Sequence, residues 1–499
     1  MKIQLERRVN RPLYLQIKDE LQERIEQGTL LPGTKLPPSR TLAEELDVSR
    51  VTVVNAYAEL EAEGLAEAHV GRGTFVSDPR RPGREWRDNP FDWRTTLLRP
   101  PGVSASGMLA DMLHLAQQPD LISFALGAPA TDLLPARQFR QAVNRVLRRD
   151  GGTALQYDDA AGCAPLRKAI VDLLSSAGVE SRSNDVLVTS GSQQALDLAA
   201  RVLTEPGDGV LTESPTYLGA LDAFQAHGLK VRGVPMDDKG MQMDALEQSI
   251  VRHRPSLVYT IPAFHNPTGT TMAESRRQKL LALARQHQLL ILEDGVCSEL
   301  CYEGSRPLPL KALDEGQRVV YVNSFSKFLL PGIRVGYMVA SGRIRERLVA
   351  AKRATDLFTS SLLQRALFEY LEQGHLEPHL ACVRRAYKAR RDAMLTALDR
   401  HLPPGARWTR PRGGLCLWVT LPPSINTSQL YLTAIDHGVA FAVGGVFFPQ
   451  NPTSSSLRLN FAAHPVERIE EGVRRLGRAI EEERGTAAAI KEKVVRRAH

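Results

Sequence analysis

Cysteine is scarce in this chain of 499 residues: there are five, odd in number and scattered at Cys163, Cys297, Cys301, Cys382 and Cys416. That excludes a disulfide framework and fits a reducing cytosol. Cys297 and Cys301 lie close together, but no second pair at zinc-ligand spacing accompanies them. Both are expected to be buried thiols, and no metal is expected. Long apolar runs are also missing. No stretch is long enough to span a bilayer, and Glu6, Arg7 and Asn10 follow Met1 to Leu5 where a signal peptide would carry an apolar run. Internal repeats and low-complexity blocks are absent. The expectation is a cytoplasmic protein with no membrane partner.

The composition is that of a globular protein, with 43% hydrophobic and 24% charged residues. The length calls for two or three domains, each with its own core. A net charge of +8 permits nucleic-acid binding without proving it. Much of the excess lies outside any obvious core, at Arg80, Arg81, Arg84, Arg87 and Arg94 and again at Lys491, Lys493, Arg496 and Arg497.

Residues 10–77 read as a winged helix-turn-helix. Leu13, Leu15, Ile17, Leu21 and Ile25 recur at near-helical spacing after Pro12, which predicts an amphipathic helix over 12–27. Ser39 can cap a short helix with Leu42, Ala43 and Leu46 inward, and Asp47-Val48-Ser49 makes the turn. Ser49 can cap a second helix, in which Val53, Ala56, Tyr57 and Leu60 share one face and Arg50, Val51, Thr52 and Asn55 are left on or beside the other. That end of a recognition helix reaches base edges. Leu65 to His69 and Thr74 to Ser77 read as two strands around Gly71-Arg72-Gly73, a hairpin tip able to approach a groove or phosphate. The alternative is that Arg40 and Arg50 are solvated surface charges.

Residues 78–105 read as a semi-extended linker rich in proline and arginine, with Trp86, Phe91 and Trp93 as possible anchors. From about residue 118 strands and helices alternate. Strands are expected at 185–190, 209–213, 257–261, 289–293 and 319–323, in a largely parallel sheet covered on both faces, with ligands at the carboxyl ends of the strands. After Glu483 no core stripe is visible, and a frayed tail is expected.

The candidate chemistry sits at those strand ends. A lysine amine, Lys327, lies in Asn323-Ser324-Phe325-Ser326-Lys327, with Pro331 and Arg334 following. Amines condense with aldehydes, and the hydroxyls of Ser324 and Ser326 and the guanidinium of Arg334 suit a phosphate ester. Aldehyde plus phosphate describes pyridoxal 5'-phosphate (PLP). Gly191-Ser192-Gln193 opens a helix whose free N–H groups suit a phosphate dianion. Tyr217 offers a face for the pyridine ring, Asn266 a donor for its phenolic oxygen, and Asp294 a carboxylate for its nitrogen. Arg458 can take a substrate carboxylate through paired hydrogen bonds. Singly these residues also read as a surface lysine, a strand-end turn and an Asn-Pro turn; their joint order and spacing point to PLP.

Two resemblances follow from these residues. Gly33-x-Lys35-Leu36-Pro37-Pro38-Ser39-Arg40-x-Leu42-Ala43 and Val48-Ser49-Arg50-x-Thr52-Val53 resemble the GntR-type winged helix-turn-helix. That resemblance implies DNA contacts from Arg40, Arg50, Thr52 and the wing Gly71, Arg72 and Gly73. Residues 118–480 resemble the fold type I, class I/II aminotransferases, and the whole is similar to the MocR/GabR-type transcriptional regulators. The implied organisation is a DNA-binding domain at 1–77, a linker at 78–117, a large PLP-binding domain of α/β type at 118–355, a smaller α+β domain at 356–482 and a basic tail at 483–499. The resemblance implies Lys327 as the cofactor lysine and Asp294 as the partner of the ring nitrogen, the two catalytic candidates. It implies Asn266 on the phenolic oxygen, Tyr217 stacked on the ring, and Ser192, Gln193, Ser324, Ser326 and Arg334 on the phosphate. It also implies Arg458 on an effector carboxylate and Tyr157 reaching the neighbouring subunit's phosphate. A homodimer follows, domain-swapped, with each DNA module docked on its partner's large domain. One position departs: relatives place a tyrosine two residues after the aspartate, where this chain has Val296. The expected function is a PLP-dependent regulator that binds an operator and senses an amino acid, an amine or PLP itself. The alternatives are a working aminotransferase with a DNA-binding module and a DNA binder that carries no cofactor.

Overall fold

The computed structural model describes residues 12–26, 30, 33–69, 73–77, 120–450, 452 and 455–497. The chain divides between Leu98 and Arg99 into two compact units. The expected linker, with Trp86, Phe91 and Trp93, and the wing residues Gly71 and Arg72 lie outside the described residues.

In the first unit, α1 (Leu13–Glu26), α2 (Ser39–Leu46) and α3 (Arg50–Ala62) precede an antiparallel hairpin of β1 (Ala66–His69) and β2 (Gly73–Val76). The apolar stripes read from spacing meet in one core: Ile17, Leu21, Leu42, Val53, Ala56 and Leu60 are all fully buried. Each large aliphatic among them contributes roughly 1.5–3 kcal/mol by burial. The Tyr57 hydroxyl donates to the Pro37 carbonyl at 2.7 Å and ties α3 to the chain ahead of α2. Asp47 takes the left-handed conformation (φ 51°) that ends α2, and Ser49 caps α3 by accepting from the Thr52 amide at 3.1 Å. The Ser39 cap is not made. Pro38 takes the flanking position, Ser39 becomes the first helical residue, and its hydroxyl accepts from Arg50 Nε at 3.4 Å. Proline's fixed φ suits a position beside the first helical turn, which displaces the serine by one.

Among the described residues of the second unit the first strand is β3 (Ile122–Ser123). The unit's main sheet uses β4 (Val186–Thr189), β5 (Gly209–Ser214), β6 (Lys230–Asp237), β7 (Gly240–Met241), β8 (Leu257–Thr260), β9 (Leu290–Asp294), β10 (Val319–Ser324) and β11 (Gly336–Val339). The order is β4-β11-β10-β9-β8-β5-β6-β7. The β5–β6, β5–β8, β8–β9 and β9–β10 pairs are parallel, while β7 runs antiparallel to β6 and β11 runs antiparallel to both β4 and β10. All five expected strands are present. They were legible because their β-branched and aliphatic runs are buried on both faces, as in β4, where every residue is buried. The strand β6 went unread because only Val234 in it is buried, and Gly233 and Pro235 interrupt its pattern.

A second sheet, β12 (Arg407–Trp408), β13 (Cys416–Thr420), β15 (Ala442–Val443) and β16 (Ser456–Asn460), is antiparallel in the order β12-β13-β16-β15. Between β13 and β15 the strand β14 (Val439–Ala440) pairs in parallel with β3, which joins two segments more than 300 residues apart. The tail expected to fray is helical instead: one helix runs from Val466 to Arg497. Its last stretch carries Ala487, Ala488, Ala489 and alternating lysine and glutamate with no proline, all good helix formers. Cys297 and Cys301 are half-buried and free rather than buried. Among the described residues no helix is long and apolar enough to cross a membrane, and no cluster of three potential metal ligands occurs.

Candidate functional site

The strands β4, β5, β8, β9 and β10 all release their chains at one edge of the main sheet. There they deliver Ser192, Tyr217, Asn266, Asp294 and Lys327. Asp294 ends β9 and is buried; Tyr259 of β8 donates its hydroxyl to Asp294 Oδ2 at 2.9 Å, and the Val296 amide donates to Oδ1 at 3.1 Å. Burial raises the pKa of this carboxyl, while the two hydrogen bonds and the charge of Lys327 work the other way. Lys327, just past β10, donates from Nζ to the Gly127 carbonyl at 2.7 Å. Burial is the leading cause that lowers its pKa, and Arg458 adds to it. The amine is thereby pushed toward the neutral form that attacks a carbonyl.

Arg458 lies on β16 and is buried. Its Nη1 donates to Asn266 Oδ1 at 2.9 Å, its Nη2 donates to the Ala125 carbonyl, and its guanidinium sits 4.8 Å from the centre of the Phe447 ring. Its Nε is buried with no hydrogen-bond partner among the described residues. The contact with Asn266 fixes the amide with Nδ2 as its remaining donor. Tyr217 is half-buried, and its hydroxyl donates to Gln193 Oε1 at 3.4 Å.

An anion cradle lies beside these groups. Helix Ser192–Leu203 begins after Gly191, whose φ of 89° strains any residue with a side chain; a Cβ there would stand 2.4 Å from Arg334 Nη2 and push the guanidinium aside. Arg334 Nη2 donates to the Ser190 carbonyl at 3.2 Å, so its guanidinium lies across the helix start. Gly336 pairs with Ser324 in the β10–β11 register, and a Cβ on Gly336 would meet the Gly191 backbone at 2.9 Å. The Ser324 and Ser326 hydroxyls are buried 2.8 Å apart. Free helix N–H groups, two hydroxyls and a guanidinium therefore converge, the donor set a phosphate ester needs.

Behind the cradle is a network that sequence reasoning missed. Lys352 is fully buried and donates to Asp356 Oδ1 at 2.7 Å; Asp356 Oδ2 accepts from Ser190 Oγ at 3.0 Å and Gln194 Nε2 at 2.7 Å. Gln194 Oε1 accepts the Ser190 amide at 2.7 Å. Burial works against the charge on Asp356, yet the bonds from Lys352 and Gln194 overcome it and hold its pKa below the ordinary value. Tyr259, Gly127 and Ala125 were also missed. Tyr157 stands apart from the group: it is 77% exposed and meets the Phe358 ring edge at 5.4 Å.

In the first unit Arg40 and Arg50 are both exposed. Arg40 Nε donates to Glu44 Oε1 at 3.3 Å, and the Thr52 hydroxyl lies 2.8 Å from Ser49 Oγ. Gly73 opens β2 with φ 105°.

The description "Aminotransferase class I and II" matches residues 119–476, and "Bacterial regulatory proteins, gntR family" matches residues 13–76. An aromatic-amino-acid aminotransferase of Thermococcus litoralis is 40% identical over 77% of this chain and 93% of its own length. An uncharacterized HTH-type transcriptional regulator of Bacillus subtilis, YdfD, is 33% identical over 94% of this chain and 97% of its own. The crystal structure of the alpha-aminoadipate aminotransferase LysN of Thermus thermophilus, complexed with N-(5'-phosphopyridoxyl)-L-leucine, superposes with a TM-score of 0.71. It is 38% identical and covers 77% of this chain and 100% of LysN. With one match at each end and a regulator similar across both, the chain belongs to the class I and II aminotransferase family and, within it, to the MocR-type regulators that carry a gntR-type unit ahead of that domain.

Proposed function

We propose that this protein is a homodimeric, PLP-dependent transcriptional regulator whose aminotransferase-like part senses an amino acid, an amine or PLP. The observation that carries it is the extent of the matches: the regulator YdfD aligns over 94% of the chain, the aminotransferase over 77%. PLP fits the residues present. Lys327 supplies the amine, Asp294 the carboxylate for the ring nitrogen, Asn266 Nδ2 a donor for the phenolic oxygen and Tyr217 a stacking face. Ser192, Gln193, Ser324, Ser326 and Arg334 hold the phosphate. When bound, PLP supplies an electron sink for bonds at the carbon next to a ligand's amine. Arg458, whose Nε has no hydrogen-bond partner among the described residues, takes a carboxylate on the effector. Tyr157 serves the neighbouring subunit, in keeping with its exposure on its own. Arg40, Arg50, Thr52 and the wing Gly71, Arg72 and Gly73 contact the operator. A swapped dimer would place each DNA module on its partner's second unit.

Sensing requires that the effector bind two states of the protein with different affinity. The test is a screen of amines and amino acids against the PLP-loaded protein. A sensor responds with a changed absorbance spectrum and little steady-state conversion of amino acid plus keto acid. A second reading, a working aminotransferase, is favoured by the retained Lys327, Asp294 and Arg458, and turnover of about 1 per second or more would establish it.

The network of buried Lys352 with half-buried Asp356 positions the phosphate cradle through Ser190 and Gln194. Asp356→Asn is expected to weaken PLP affinity about tenfold or more, roughly the 1.5–3 kcal/mol of a charged hydrogen bond. It should leave affinity for pyridoxal, which lacks the phosphate, within about twofold. Titration of both vitamers against the variant measures this, and an equal loss for the two would remove Asp356 from the phosphate site.

A further inference from the structure

The DNA-reading face of α3 carries two exposed apolar side chains that nothing in the fold explains. Val51 is 65% exposed and Val54 45%, and among the described residues of the first unit they are the exposed large hydrophobics. They stand three residues apart, as neighbours on one helix surface, in the first two turns after the Ser49 cap. The opposite face, Val53, Ala56, Tyr57 and Leu60, is in the core, so the valines point away from it. Exposed Asn55 and Ala58 share their surface, and exposed Arg50 adjoins it. An isolated surface valine is ordinary. A pair at the end of the helix that enters the groove, with charge beside it, is a recognition surface.

Resting on the DNA-binding reading above, we infer that Val51 and Val54 read the 5-methyl groups of pyrimidines in the major groove, chiefly thymine, while Asn55 reads an adjoining adenine. The major groove offers one apolar feature, the methyl at C5 of thymine, and an asparagine amide matches the N6 and N7 edge of adenine. Arginine at the same helix end holds phosphate and sets the depth of entry. The half-site is therefore centred on A·T pairs, and its specificity is apolar contact in place of a guanine–arginine pair.

The experiment uses the full-length protein. Duplexes selected from a randomised pool at fixed salt are resynthesised with deoxyuridine for thymine at each position of the half-site. Where a valine contacts a methyl, the substitution should cost about fourfold in affinity, the burial of one methyl-sized group. The Val51→Ala, Val54→Ala double variant should bind the deoxyuridine and thymine duplexes equally. Both changes are on an exposed helix surface, where alanine is the better helix former, so folding is preserved. Replacing the same pair by G·C with cytosine or 5-methylcytosine separates the methyl from the rest of the pair. Tighter binding of the methylated form supports methyl reading; no difference at any position overturns it. Equal affinity for thymine and deoxyuridine duplexes throughout would overturn this inference alone, whereas failure to bind any duplex would overturn the DNA-binding reading with it.

Discussion

Lys327→Ala will not retain PLP covalently: borohydride treatment of the loaded wild type should fix a pyridoxyl group on the peptide carrying Lys327, and the variant should carry none. The expectation rests on where the amine is. Lys327 Nζ is held by the Gly127 carbonyl at 2.7 Å, and burial lowers its pKa, so the nucleophilic neutral form is favoured. Lys352, though also buried, is committed to Asp356. The substitution leaves one carbonyl without its donor, a loss of roughly 1–3 kcal/mol, which a unit of this size should survive. Operator binding measured without cofactor should stay within about twofold of wild type, because the first unit has its own core. A pyridoxyl adduct on another residue of the variant would show that the cofactor lysine has been misplaced.

Arg50→Ala should do the reverse, keeping the Lys327 adduct and losing the operator. Arg50 is exposed at the first turn of α3, with a 3.4 Å contact from Nε to Ser39 Oγ. Its removal should cost little stability, since surface changes away from special features usually fall within about 0.5 kcal/mol. As a phosphate contact it makes a charged hydrogen bond worth roughly 1.5–3 kcal/mol for each copy, and a dimer uses two. The loss should therefore be about thirtyfold or more. The slope of log affinity against log salt should become shallower by about one for each phosphate contact removed. Arg40→Ala should have a smaller effect, because Arg40 is already engaged by Glu44 at 3.3 Å. If Arg50→Ala binds as well as wild type at several salt concentrations, α3 is not the recognition helix.

What the sequence revealed, and what it hid, follows from the range of the interactions. The three helices of the first unit and the five expected strands of the second were legible because their burial is periodic or continuous along a few residues. The residues at the strand ends were legible because each follows directly on such a run. Ser39 misled because cap preference does not say whether proline will take the flanking place first. Asp356 and Lys352 could not be read, because their value lies in the contacts of Asp356 with Ser190 and Gln194, 166 and 162 residues earlier. Tyr259 looked like any aromatic in a buried strand; only the β8–β9 pairing puts its hydroxyl on Asp294. Gly127 and Ala125 carry no signal at all, since they act through backbone carbonyls.

One chain joins a gntR-type unit to an aminotransferase-like PLP domain, and the proposed function requires the two to be energetically coupled. Operator affinity should be measured on the full-length protein at one salt concentration, with and without PLP and then across a panel of amino acids and amines. A change of about fivefold or more, absent from Lys327→Ala, is expected, in line with ordinary coupling free energies. Operator affinity indifferent to PLP and to every amine would contradict it.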